Sequence, residues 1–324
     1  MSRRPAPAPP AAARAPGASS GAGTPAGRRG PVVFVVLAFA LAWLAAAPLY
    51  ATGGLASPYF LPVSLLVMTT PAIAALVTVR WVEGDRAVWS RLGAVSRGRS
   101  AAAVLGWSGV AFGVLLGTVL VALLVGALLG VYPADVTGLS GLRAVLDAQL
   151  EAAGAPPVAV PLGVVLVGQV AGVVVGSVVN TVPAAGEELG WRGYLFPRLL
   201  PLGAVPAVLV SGVVWGLWHA PLVLLGYNYP GAHPVVALAA MCGMCTVVGG
   251  LLAWLRQRSG SVWPAALGHG TLNAAAGLSV VLARAGEPVD TVHATVLGWS
   301  GWIVPAVVLA VLVGRGALRP RVAG

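Results

Sequence analysis

Lysine is missing from this chain altogether, and charge of either sign is scarce. Charged side chains make up 9% of its 324 residues, against 58% hydrophobic. A soluble domain of this length carries roughly a quarter charged residues, so water is excluded as the solvent for most of the surface. Disorder does not account for the deficit, because disordered segments are depleted in apolar residues. Only two cysteines occur, Cys242 and Cys245. Both sit in an apolar stretch, which excludes the disulfide framework of a small secreted domain and reads as packing. The net charge of +10 comes entirely from arginine. These arginines fall in short clusters between apolar runs, a topological pattern, so no nucleic-acid partner is expected.

What is present is a series of apolar runs, each near the roughly 20 residues that cross a bilayer. They occupy 31–50, 59–80, 102–131, 158–182, 203–226, 234–255, 262–283 and 292–314. The fold class is therefore all-α, a polytopic membrane protein of about eight transmembrane helices. The third run is overlong, and the fifth holds Pro206 and Pro221 as candidate breaks. Four regions follow: a disordered Arg/Pro/Ala-rich cytoplasmic tail over 1–30; helices one to three with an outer-surface helix over 31–157; a catalytic core of helices four to seven over 158–285; and the last helix with a short basic tail over 286–324. Leu142, Val145, Leu146 and Leu150 recur at helical spacing and define the surface helix. Glycine pairs four apart (Gly113 and Gly117, Gly126 and Gly130, Gly172 and Gly176, Gly212 and Gly216) predict close helix approaches.

With the N-terminus inside, 17 of the 19 arginines fall on the cytoplasmic side, as the positive-inside rule requires. Arg143 and Arg284 stay outside, and both termini are cytoplasmic. The all-Arg, Ala- and Gly-rich composition is consistent with a GC-rich bacterial genome, hence with a bacterial plasma membrane.

An ionisable side chain within a span is costly unless it is paired or faces water, so each one marks a candidate site. Glu187, Glu188 and Arg192 follow the fourth run. If helical, Glu188 and Arg192 are i,i+4 neighbours with the acid first, a favourable ion pair. Glu187 lies about 100° around the helix and is left free as a general base. Trp215 and His219 share one face of the fifth span, and His269 and Asn273 one face of the seventh. Singly, each pair also reads as helix packing. Together they bring unpaired polar groups from three spans into one membrane, a set suited to water attack on an amide. His-Glu-x-x-His is absent, which excludes the soluble zincin arrangement.

Glu187-Glu188-x-x-x-Arg192, Trp215-x-x-x-His219 and His269-x-x-x-Asn273 resemble, in this order, the motifs of the CPBP family of CAAX- and bacteriocin-processing intramembrane proteases, also called Abi, which includes the Ras-converting type of prenyl endopeptidase. The resemblance covers roughly 160–285. It implies an intramembrane endopeptidase in which Glu187 activates water with help from His219, His269 and Asn273 form the oxyanion side, and Glu188 and Arg192 hold the set together. Trp215 stands where the family often has Phe. Two cofactor readings stay open: Glu187, His219 and His269 hold Zn²⁺ or another divalent metal with one open position, or the same groups act on water directly. The substrate is a peptide or membrane-anchored protein, reached from the cytoplasmic side because the Glu pair follows the inner end of the fourth span. A non-catalytic immunity or scaffold protein and an ion-coupled transporter are the competing functions.

Overall fold

The computed structural model describes residues 26–95 and 98–319, and no strand forms among them. Eight helices answer to the eight predicted spans and a ninth to the predicted surface helix. They are α1 (Ala26–Ala51), α2 (Phe60–Val77), α3 (Ala101–Leu128), the surface helix α4 (Ser140–Ala152), α5 (Leu162–Glu188), α6 (Ala204–Trp218), α7 (Pro234–Ser259), α8 (Trp263–Ala275) and α9 (Trp299–Gly314). The chain is a polytopic helical membrane protein. Of the tail expected over 1–30, residues 1–25 lie outside the described residues, whereas 26–30 already belong to α1. There Gly30 lets the helix lean on Glu83 and the Tyr194 hydroxyl, each 2.7 Å from where a Cβ would stand.

Among the described residues, five helical stretches are long and apolar enough to cross a membrane: Arg29–Ala51, Phe60–Val82, Ala101–Leu128, Leu162–Leu202 and Pro234–Ser259. Helices α6, α8 and α9 are shorter, at 15, 13 and 16 residues. Irregular backbone at membrane depth is tolerated where protein buries it. The break expected in the fifth span is present: α6 stops at Trp218, and Pro221, which has no amide hydrogen to donate, falls in the separate turn Ala220–Val223.

The fourth span differs most from expectation. It does not end near 182 with the glutamates at an inner rim. Helix α5 runs to Glu188, passes through a wide π-turn at Leu189–Leu195 and continues to Leu202, 41 residues in all. Glu187 and Glu188 are 2% and 0% exposed. The helix can carry them through the interior because both carboxylates find partners there.

Close approaches position α5 and α6. A Cβ on Gly186 would stand 2.6 Å from the Met68 carbonyl oxygen, and one on Gly190 2.5 Å from the Pro71 ring. On α6, a Cβ at Gly212 would meet the Thr246 Cα at 2.4 Å, and one at Gly216 the Cys242 Cα at 2.5 Å, so this predicted pair does carry a helix contact. Gly113, Gly117, Gly130 and Gly172 have nothing within 4 Å, and the approaches expected of them are not made.

The two ends of the bundle are tied differently. At one, Arg198 pairs with Glu83, Gly93 abuts the Arg256 guanidinium, and the Trp263 indole donates to the Ala94 carbonyl. Arg91 pairs with Asp85 there, and Arg99 reaches the Arg258 carbonyl. At the other, Tyr50 donates to the Pro221 carbonyl at 2.7 Å, Tyr132 to that of Ser279 at 2.9 Å and Thr291 to that of Asn228 at 2.6 Å. Arg143 and Arg284 lie at this end, paired with Asp147 and Glu287 respectively, with Asp135, Glu151 and Asp290 nearby in the same loops, and His233 and His293 are exposed here.

Candidate active site

The site is assembled where α5 enters its π-turn, where α6 ends and along the second half of α8. Glu188 Oε1 accepts from Arg192 Nη1 at 2.7 Å, the ion pair that the spacing predicted, and from His269 Nδ1 at 2.9 Å. The Arg192 guanidinium lies 3.9 Å above the Trp215 ring centroid. On α7, Gly249 makes room for it, since a Cβ there would stand 2.8 Å from Arg192 Nη2.

Glu187 points the other way. Its Oε2 accepts from the Trp215 indole N–H at 2.8 Å, which leaves Oε1 free. His219 places Nδ1 2.8 Å from the Trp215 carbonyl oxygen. Because a carbonyl only accepts, Nδ1 carries the hydrogen and Nε2 is left as an acceptor. Trp215 is thus the centre of the assembly: indole to Glu187, carbonyl to His219, ring face to Arg192, and a T-shaped contact to His269 with centroids 5.4 Å apart. Cys245 lies behind His219 with Sγ 3.9 Å from Nδ1, and both cysteines are unpaired.

A cavity of about 540 Å³ faces this assembly. Glu187, His219, His269 and Asn273 all line it, whereas Glu188 and Arg192 do not. The structure therefore separates an acid on the wall from one buried behind it. Trp218 also lines the cavity. Behind Trp218 stand Trp191, 5.7 Å away between ring centroids, and Phe34 and Tyr194, all at most 1% exposed.

Three parts of the wall were not legible as site residues. The first is Asn180 of α5. Its Nδ2 donates to the Gly176 carbonyl at 2.8 Å, and it lines the cavity. Its position seven residues, two turns, before Glu187 is the signal that finds it. Ser64, Leu65 and Met68 of α2, and the segment from Thr291 to Leu297, lie outside the 158–285 core yet complete the wall. No local pattern marks them.

The donor chemistry for a metal is present in part, as each imidazole is anchored through Nδ1, the usual support for an Nε2 ligand. The geometry does not complete it. Among the described residues no three His, Cys, Asp or Glu side chains gather closely enough to hold an ion. Glu187, His219 and His269 as arranged do not fit one.

Residues 163–275 match the Rce1-like family of type II CAAX prenyl endopeptidases. The match takes in every reactive side chain just described. Within the chain, 47 residues are also 43% identical to the CAAX prenyl protease 2 of Methanococcus maripaludis, covering 14% of this chain and 17% of that protein. The Rce1-like segment contributes α5, α6, α7 and α8. The helices outside it, α2 above all, supply cavity wall.

Proposed function

We propose that this protein is an intramembrane endopeptidase of the CAAX-protease kind, which hydrolyses a peptide bond with water activated by Glu187. The observation that carries the reading is that Glu187, His219, His269 and Asn273, drawn from three helices, share the wall of one cavity while the Glu188–Arg192 pair stays behind it.

A water set between Glu187 Oε1 and His219 Nε2 donates one hydrogen to each and turns a lone pair toward the substrate carbonyl carbon. As the C–O bond forms, Glu187 takes the proton, which is general-base catalysis. Charge moves onto the carbonyl oxygen, where His269 Nε2–H and the Asn273 carboxamide donate to it. For Nε2 to donate while Nδ1 bonds Glu188, His269 must be an imidazolium. The charges then balance: Glu187 and Glu188 against Arg192 and His269. Collapse of the tetrahedral species breaks the C–N bond, and Glu187 returns its proton to the departing nitrogen. The substrate is a peptide segment of a membrane-associated protein, and no step runs through a metal.

The test is cleavage of a peptide library by purified protein in lipid. Glu187→Gln preserves an acceptor for Trp215 and removes the base, so kcat falls about 100-fold or more, the contribution of a positioned general base, with an unchanged melting temperature. Undiminished turnover by that variant overturns the assignment.

A further inference from the structure

Where α7 turns into α8, Arg256 is fixed in place without a carboxylate partner. Its guanidinium lies on Gly93, so close that a Cβ there would stand 2.3 Å from Nη2 and 2.6 Å from Cζ. Gly93 has φ +73°, a left-handed turn that glycine adopts at little cost. The Gly93 carbonyl accepts from the Val262 amide at 3.0 Å, and the Trp263 indole fastens the same turn through the Ala94 carbonyl. Arg256 is therefore positioned by the backbone on both sides of it, yet its Nε is buried and meets no acceptor. Buried polar groups are nearly always satisfied, and a charge left bare costs more than a neutral group.

No acid of the chain is free to serve it. Of the nine acidic residues, Glu83 and Asp85 belong to this end of the bundle, and both are taken. Glu83 accepts from Arg198 and the Tyr194 hydroxyl, and Asp85 from Arg91 and the Ala87 amide. Arg99 adds to the excess of positive charge. Its Nη2 reaches the Arg258 carbonyl at 3.5 Å, and its Nε lies 3.5 Å from where a Cβ on Gly260 would stand, in the turn that ends α7. Arg99 and Arg256 thus flank one turn, and each keeps part of its surface exposed.

Two cations that share a turn and lack acids call for an external anion, and the depth of the turn identifies it. Trp89 and Trp263, on the two segments that meet here, are 53% and 42% exposed, the placement of an interfacial tryptophan belt. Headgroup phosphates lie at that level, and basic pockets at the ends of transmembrane helices hold them. We infer that Arg256 and Arg99 form a binding site for a phosphate group, carried by an anionic phospholipid. The accessible parts of the two guanidinium groups donate to the phosphate oxygens as charge-assisted hydrogen bonds, and the lipid compensates the charge that burial of Arg256 leaves unpaired. The site stands apart from Glu187 and its cavity, none of whose lining residues it shares, so it does not depend on the endopeptidase reading.

The experiment gives the purified full-length protein in detergent dioleoylphosphatidylglycerol, dioleoylphosphatidylcholine or inorganic phosphate. Native mass spectrometry counts the lipid retained, and circular dichroism follows the melting temperature. Phosphatidylglycerol stays bound and raises the melting temperature of the wild type, whereas phosphatidylcholine and inorganic phosphate do neither. Arg256→Gln and Arg99→Gln each weaken phosphatidylglycerol binding about tenfold or more, the worth of one hydrogen bond to a charged group. Arg91→Gln, whose guanidinium Asp85 already occupies, leaves binding unchanged. Should Arg256→Gln fail to fold, Arg99→Gln decides. An equal shift from inorganic phosphate would assign the site to a free anion and overturn the lipid as its occupant. Phosphatidylglycerol binding that survives both substitutions, that falls equally in Arg91→Gln, or that is absent from the wild type overturns the site itself.

Discussion

Glu187 and Glu188 are the same side chain at adjacent positions, and their difference is made entirely by what the fold brings to each. Glu188 holds Arg192 and His269 on one oxygen, is fully buried and does not line the cavity. Glu187 holds only the Trp215 indole and faces the cavity. Glu188→Gln removes the charge from the centre of a buried pair and leaves Arg192 uncompensated. Breaking such a pair costs about 3–5 kcal/mol, so the variant melts well below wild type, while Glu187→Gln does not. Thermal unfolding in detergent, monitored by circular dichroism, separates the two, and equal melting temperatures would show that the two acids are not divided in this way. The i,i+4 rule exposes Arg192 as a partner within one turn. The partners 28 and 81 residues away, Trp215 and His269, exist only once the helices pack. For that reason Trp215 was legible as a neighbour of His219 but not as the residue joining Glu187, His219 and Arg192.

Helices α6 and α7 meet along glycine, and sequence spacing alone could not single out that contact. Four glycine pairs share the small-x-x-x-small pattern, but only Gly212 and Gly216 both press against another backbone. A methyl group at Gly212 collides with the Thr246 main chain, which cannot rotate away, and overpacking of this kind costs about 1–3 kcal/mol. The same change at Gly113 enters open space, where alanine's better helix propensity is worth up to about 1 kcal/mol in its favour. Gly212→Ala is therefore expected to lower the melting temperature and Gly113→Ala to leave it level or raise it. Because α6 carries Trp215 and His219, the first variant also loses peptide cleavage. Helix existence was legible from hydrophobic run length, and so was the break near Pro221. The end of the fourth span was not. A run-length rule stops at the first cluster of charges, and only the pairing of Glu188 with groups on two segments lets the helix continue to Leu202.

The asymmetry of charge is a property of the whole molecule and was plain in the sequence. Arginine marks one end of the bundle, and the other carries most of the acids. The acidic end also sets the response to pH. Asp135 accepts from the Ser140 hydroxyl, from the Ser140 amide at 3.1 Å and from the Gly138 amide at 2.8 Å. These bonds, with Arg284 nearby, hold its carboxyl below the ordinary aspartate range. In the unfolded chain it titrates near the usual value of about 4. The ionised form is thus favoured by folding, so its stabilisation is complete above that value and disappears as pH falls through the lower folded one. Asp135→Asn lacks it at every pH. The melting temperatures of wild type and Asp135→Asn should differ at neutral pH and converge under acid. A gap that persists unchanged to the lowest pH at which the fold survives would mean that these bonds to Ser140 and Gly138 do not favour the ionised carboxylate.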